Sequence, residues 1–183
     1  MSVVPLMDAR TAPLLVRSLF ESGDPGPIAA ALAHVPEMAE VALPFIGRVL
    51  GPSHLDLRTK EIVILRASAV ARCRYCVDAH TAAALDSGLD HAEVATLRRA
   101  DAPSTLHTDR EAALVAFVDV VAGERGPLAP AVTEAMRPWF ADHEIVELTL
   151  LAATTLLLNR FCTALDLPSS PQTMARLATE GFA

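Results

Sequence analysis

The sequence predicts an all-α protein, and three observations carry that prediction. No stretch alternates polar and apolar residues at period two, as a half-buried strand does. Hydrophobic residues make up 52% of the chain but aromatics only 4%, which gives an Ala/Leu/Val core suited to close-packed helices. Helix punctuation recurs along the chain: Asp or Thr with Glu three residues on, and Gly/Pro turns between apolar runs.

Taken in order, residues 10–21 and 26–34 form a short helical pair around the turn residues Gly23, Asp24, Pro25, Gly26 and Pro27. A third helix covers 36–50, with Pro44 kinking or interrupting it. The fourth, 56–71, is apolar nearly all round (Ile62, Val63, Ile64, Leu65, Ala67, Val70), so it is buried on more than one side. Residues 56–87 contain no Gly or Pro yet exceed the usual helix length, which places a turn at Ala71 and Arg72 on length alone. The fifth helix starts near Cys73 and ends before Gly88, a left-handed cap. Asp90 and Glu93 form a capping box for a helix at 91–100, and Thr108 and Glu111 repeat it for 109–123. A short helix at 128–137 precedes Pro138, a long apolar one follows from Asp142, and an amphipathic helix at 171–180 ends the chain. The expectation is about eight to ten helices, with loops at 103–108 and 123–130, in a single domain spanning 1–183.

The chain has 183 residues, enough for one well-packed domain. Its net charge of −7 argues against nucleic acid or an anionic membrane as a partner. Three cysteines do not suit a secreted disulfide framework, so a cytoplasmic location is expected. The start lacks the charged and apolar regions of a signal peptide. The apolar run 148–158 is too short to cross a bilayer and reads as a buried helix. Two nearly all-apolar helices are more than one small core can hide, which predicts a homo-oligomer.

Chemistry concentrates in one segment. Cys73 and Cys76 stand at the spacing of a reversible disulfide, His80 follows four residues after the second cysteine, and Glu61 precedes the first by twelve. On one helix Cys73, Cys76 and His80 fall within roughly 60° of arc. A first-turn position offers N–H groups and the positive end of the helix dipole, and Arg72 and Arg74 add charge; all favour thiolate. His80 can take or relay a proton at neutral pH. Glu61 reaches this group only if the chain folds back, since on one straight helix it lies about 18 Å away along the axis. Other readings stand beside this one. The cysteines with His80 could be part of a zinc site, although no second ligand pair completes it. They could also be small buried hydrophobes. Glu61 could serve a salt bridge with Arg58 or Arg72.

The run Leu57-Arg58-Thr59-Lys60-Glu61-Ile62-Val63-Ile64-Leu65, followed by Cys73-Arg74-Tyr75-Cys76-Val77-Asp78-Ala79-His80, resembles the alkylhydroperoxidase AhpD-like family of the carboxymuconolactone decarboxylase superfamily. The family signature is Glu, eleven residues, Cys-x-x-Cys, three residues, His, and every element of that spacing is present. A second similarity runs from Ile145-Val146-Glu147-Leu148 to Asn159-Arg160-Phe161 and Ala164-Leu165. Together they cover a core of residues 45–170, preceded by a helical extension over 1–40 without resemblance.

The resemblance implies an AhpD-like helical bundle and a thiol-dependent peroxidase or disulfide oxidoreductase. Cys76 would attack the peroxide and become a sulfenic acid, Cys73 would resolve it as a Cys73–Cys76 disulfide, and His80 with Glu61 would relay the proton. No cofactor or metal is implied beyond that disulfide. An external dithiol, lipoyl-type or thioredoxin-like, would restore the thiols, since one Cys-x-x-Cys supplies no further electrons. The family includes trimers and dimer-built hexamers. The chain departs from alkylhydroperoxidase D at Tyr75, where that enzyme has a histidine, which leaves a simpler relay. A decarboxylase-like acid–base enzyme would need only His80 and Glu61, and a redox-sensing oligomer would need no turnover. Cys162 reads as a buried structural thiol. Asn159 and Arg160 read as pocket or interface residues, with Glu147 or a partner subunit as candidate ion partners of Arg160. His34, His54, His91, His107 and His143 read as surface or capping residues.

Overall fold

A computed structural model describes residues 2–101, 106–124 and 126–182. Among these, a 3-10 helix (Leu14–Phe20) is followed by α1 (Pro27–Leu32), α2 (Pro36–Leu50), α3 (Leu57–Val70), α4 (Arg74–Asp86), α5 (His91–Leu97), α6 (Asp109–Gly123), α7 (Pro130–Met136), α8 (Asp142–Ala164) and α9 (Pro171–Thr179). The described residues contain no strand. The loop expected at 103–108 lies largely outside them. The helix expected at 10–21 is only the 3-10 stretch. Asp8 turns the chain first, its carboxylate accepting the N–H groups of Arg10 and Thr11, and Pro13 keeps the preceding residue out of the helical region. Pro44 sits inside α2 without ending it.

Helix α3 is the axis of the molecule and packs on α4, α6 and α8. Its apolar residues Ile62, Val63, Ile64, Leu65 and Ala67 are buried, as the pattern predicts, but so are Thr59, Lys60, Arg66 and Ser68. Buried charges must be paired, and each cation of α3 ties down a neighbour. Arg58 donates to Glu93 of α5, Glu111 of α6 and the Gly88 carbonyl. Lys60, 1% exposed, donates to the Val49 carbonyl at 3.0 Å and the Gly51 carbonyl at the end of α2, and lies 3.4 Å from Glu147. Arg66 clamps Asp119 with two bonds. Glu147 thus belongs to Lys60, and Arg160, expected to claim it, is exposed.

The expected capping box at Asp90 and Glu93 is present. At Thr108 the cap is partial: its hydroxyl accepts the Glu111 N–H, and the Glu111 carboxylate takes the hydroxyl proton rather than a backbone N–H. The turn between α3 and α4 falls at Ala71 and Arg72, as length alone indicated. Arg72 takes a left-handed conformation (φ 55°), its N–H bonds Ala69, and the Cys73 N–H bonds Ser68. That is a Schellman ending without glycine. Helix α8 ends the same way, with Asp166 at φ 48° and the Leu167 N–H on the Cys162 carbonyl. Gly88 closes α4 at φ 91°. Helix α8 runs 23 residues with mean hydropathy 1.5 over its most apolar window, so it is long and apolar enough to cross a membrane. Here its inner side, including Leu148, Leu151, Ala152 and Leu158, is buried with α3, α4 and α6.

Candidate active site

The fold-back at Arg72 decides the site. It turns α4 against α3, so that Glu61, two turns before the end of α3, meets His80, two turns into α4. Their contact is His80 Nδ1 to Glu61 Oε2 at 2.9 Å, both side chains mostly buried. A carboxylate only accepts, so Nδ1 carries the proton and Nε2 is left as the basic nitrogen. Arg58, the rival partner for Glu61, is taken by Glu93 and Glu111.

Cys73 is the N-cap of α4, and its sulfur accepts the Cys76 N–H at 3.4 Å. The two sulfurs belong to free thiols and are 2.7 Å apart, and both residues are buried. Cys162, from the last turn of α8, completes a cluster whose three sulfurs lie within 4.8 Å of one another. Hydrogen bonds from the Cys162 and Cys76 thiols, with the Cys76 N–H, hold the Cys73 thiol down to about 3. The same contacts and burial push the Cys76 thiol up. Cys162 is raised to about 12, first by its hydrogen bond to Cys73. Of the three thiols, the one shifted downward is Cys73.

The two cysteines open onto different cavities. Cys76 and His80 line one of about 100 Å³. Its walls are Ile28 of α1, Ile46 and Leu50 of α2, Ile64 and Ser68 of α3, Tyr75 and Ala79 of α4, and Thr155, Leu158 and Asn159 of α8. Asn159 is fully buried; its Oδ1 accepts from the Ser68 hydroxyl at 3.0 Å, and its Nδ2 has no partner among the described residues. Cys73 and Cys162 line a second cavity of about 230 Å³, with Arg72, Arg74, Tyr75, Thr163, Asp166 and Leu167. Burial raises the Tyr75 hydroxyl to about 12, so it is a neutral donor at the wall of both.

All four residues singled out in the sequence thus lie in one place. Three contributors were not singled out as chemistry. Cys162 reads as packing because its helix is apolar. Ser68 carries no local signal. Ile28 belongs to the N-terminal stretch, which carries no motif of the family signature in the sequence yet lines the cavity. Asn159 was legible only as one of two adjacent polar residues in an apolar helix.

The fold is all-α, and it holds a buried pair of thiols at the start of the helix that carries the histidine of the His–Glu pair. The carboxymuconolactone decarboxylase family model matches residues 36–124, and with the solved structures below it supports an AhpD-like member of that superfamily. The AhpD core of an uncharacterized peroxidase-related protein from Ralstonia eutropha JMP134 superposes with TM-score 0.82 over 94% of both chains at 18% identity. A candidate antioxidant defence protein AhpD of unknown function from Agrobacterium tumefaciens gives TM-score 0.68 at 26% identity, over 75% of this chain and 94% of its own. The debrominase Bmp8 gives 0.77 over 98% of both chains at 18% identity. Two uncharacterized proteins of Mycobacterium tuberculosis are 34% identical over 107 residues, 58% of this chain, which spans only 36% of their length. The fold is AhpD-like, and the family supports an enzymatic role, peroxidase-related or of a related kind.

Proposed function

We propose that the protein is a cytoplasmic thiol peroxidase that reduces a small hydroperoxide at Cys76 and is re-reduced by an external dithiol. The observation that carries this reading is that Cys76 shares a small, mostly apolar cavity with His80 while the Cys73 sulfur stands 2.7 Å from that of Cys76. A cavity of about 100 Å³ holds roughly three water volumes, the scale of a small peroxide.

Each group has a task. Cys76 is the protonated thiol and needs a base; His80, oriented by Glu61, takes its proton. The Cys76 sulfur attacks one peroxide oxygen, the O–O bond breaks, and the leaving alkoxide receives the proton from His80. The unpartnered Asn159 amide donates to the substrate oxygen that is gaining charge. Cys73 then attacks the sulfenic sulfur as a thiolate; hydroxide leaves and takes up the proton that the Cys73 thiol gave up, departing as water. Two thiols and one hydroperoxide give one disulfide, one alcohol and one water, with no further cofactor.

The test is peroxide consumption with dithiothreitol as reductant, for hydrogen peroxide and an organic hydroperoxide. Cys76→Ser should abolish turnover. Cys73→Ser should give a single turnover ending in a sulfenic acid at Cys76, trapped by dimedone. His80→Gln should slow the chemical step by about 10²–10⁴-fold. If the Cys73/Cys76 double serine variant consumes peroxide as the native protein does, the reading fails, and His80 with Glu61 would be assigned to acid–base chemistry.

A further inference from the structure

Cys162 has no part in that cycle, yet its surroundings differ from those of a packing residue. It is 1% exposed, and its sulfur lies within 4.8 Å of both other sulfurs. Its position is fixed by the end of α8, where its carbonyl accepts the Leu167 N–H; Cys73 is fixed by the matching end of α3. The pair Cys73–Cys76 forms a partition: Cys76 lines the smaller cavity with His80, whereas Cys73 and Cys162 line the larger one beside Arg72 and Arg74. A disulfide left at Cys76 keeps the sulfur that meets peroxide in its oxidised form, on the side away from the larger cavity.

We propose that Cys162 is a second resolving thiol that moves the disulfide from one cavity to the other. The Cys162 sulfur attacks the Cys73 sulfur of the Cys73–Cys76 disulfide, the Cys73–Cys162 bond forms, and the Cys73–Cys76 bond breaks. Cys76 leaves as thiolate and takes up the proton that Cys162 gave up, so the exchange has no net oxidation. Cys76 is thereby returned reduced to its cavity, and the external dithiol meets a Cys73–Cys162 disulfide lined by two arginines. The exchange also has its own gate. The hydrogen bond to charged Cys73 is the first cause of the raised Cys162 thiol. Once Cys73 is in a disulfide that charge is gone, so Cys162 becomes a better nucleophile only in the oxidised protein.

This inference rests on the peroxidase reading for the origin of the first disulfide, and two measurements keep the two apart. The full-length Cys76→Ser variant, oxidised with diamide and alkylated with iodoacetamide, should lose alkylation at both Cys73 and Cys162 and yield their linked peptides within one chain. Native protein treated with one equivalent of hydrogen peroxide should give Cys73–Cys76 first and Cys73–Cys162 after it, which covers the case that the variant does not fold. Free alkylation of Cys162 in both experiments, or a Cys73–Cys162 link found only between chains, overturns the exchange. Absence of any Cys73–Cys76 disulfide in the native protein overturns the peroxidase reading instead, and leaves the diamide result to decide the exchange.

Discussion

Cys73 acts at once as a helix cap and as the seat of a negative charge. Its depressed pKa has a thermodynamic sign. An acid whose folded pKa lies below its unfolded value adds stability that is complete above the unfolded value, about 8.5 for a thiol, and is lost as pH falls toward the folded one. Cys76 and Cys162 shift the other way, so they penalise the folded state once an unfolded chain would ionise them. Urea denaturation of the reduced protein between about pH 5 and 8 should therefore show stability rising with pH relative to Cys73→Ser, by up to about 1.4 kcal/mol per unit. A constant difference would remove the thiolate from Cys73. Spacing alone revealed Cys73, Cys76 and His80, because all three lie in one helical segment. Glu61 was reachable only by way of a family signature and an inferred turn. The pairing of Ser68 with Asn159, 91 residues apart, and the approach of Cys162 are tertiary events with no local trace.

At the level of elements, the left-handed Arg72 sets how α4 lies against α3. A left-handed L-residue costs roughly 1–2 kcal/mol, which glycine avoids. Arg72→Gly should stabilise the protein by about 1 kcal/mol, less the added freedom of the unfolded glycine. Chemical denaturation measures it, and a destabilised variant would mean that the arginine side chain outweighs its backbone. The turn was visible in the sequence as an excess of length but not as a breaker residue, since Schellman endings usually announce themselves by glycine, as Gly88 does. The buried polar side of α3 was hidden too. Lys60 and Arg66 are of types rarely buried without a partner, and only their distant partners make the interior hospitable to them.

The whole molecule leaves a broad apolar surface uncovered. The expectation was that the fourth helix and the late apolar helix would both expose hydrophobic faces. Helix α3 instead is enclosed except at Leu57 in its first turn, and the exposed large hydrophobics include Val146, Leu150 and Leu157 of α8 and Met38, Val41 and Phe45 of α2, two helices that pack on each other. Such surfaces usually mark an interface. We expect a homo-oligomer joined through them. Sedimentation should give a multiple of 19.4 kDa for the native protein and a monomer for Leu150→Glu/Leu157→Glu; a native monomer would refute the interface. Helix α2 also carries Ile46 and Leu50 to the smaller cavity, so assembly on this surface would steady the wall against which the substrate rests.

The sulfur that caps α4 has a consequence for electron flow. A thiolate held by an N–H and two thiols stabilises the dithiol, and a disulfide has no charge for those donors to hold. Redox pairs whose reduced form is favoured in this way lie toward the oxidising end of the protein range, above the roughly −270 mV of thioredoxin. Equilibration against glutathione buffers reads that potential directly. On the proposed peroxidase reading, a protein so poised would give up its electrons to a strong acceptor such as a peroxide and, once oxidised, would draw them back from ordinary cellular dithiols.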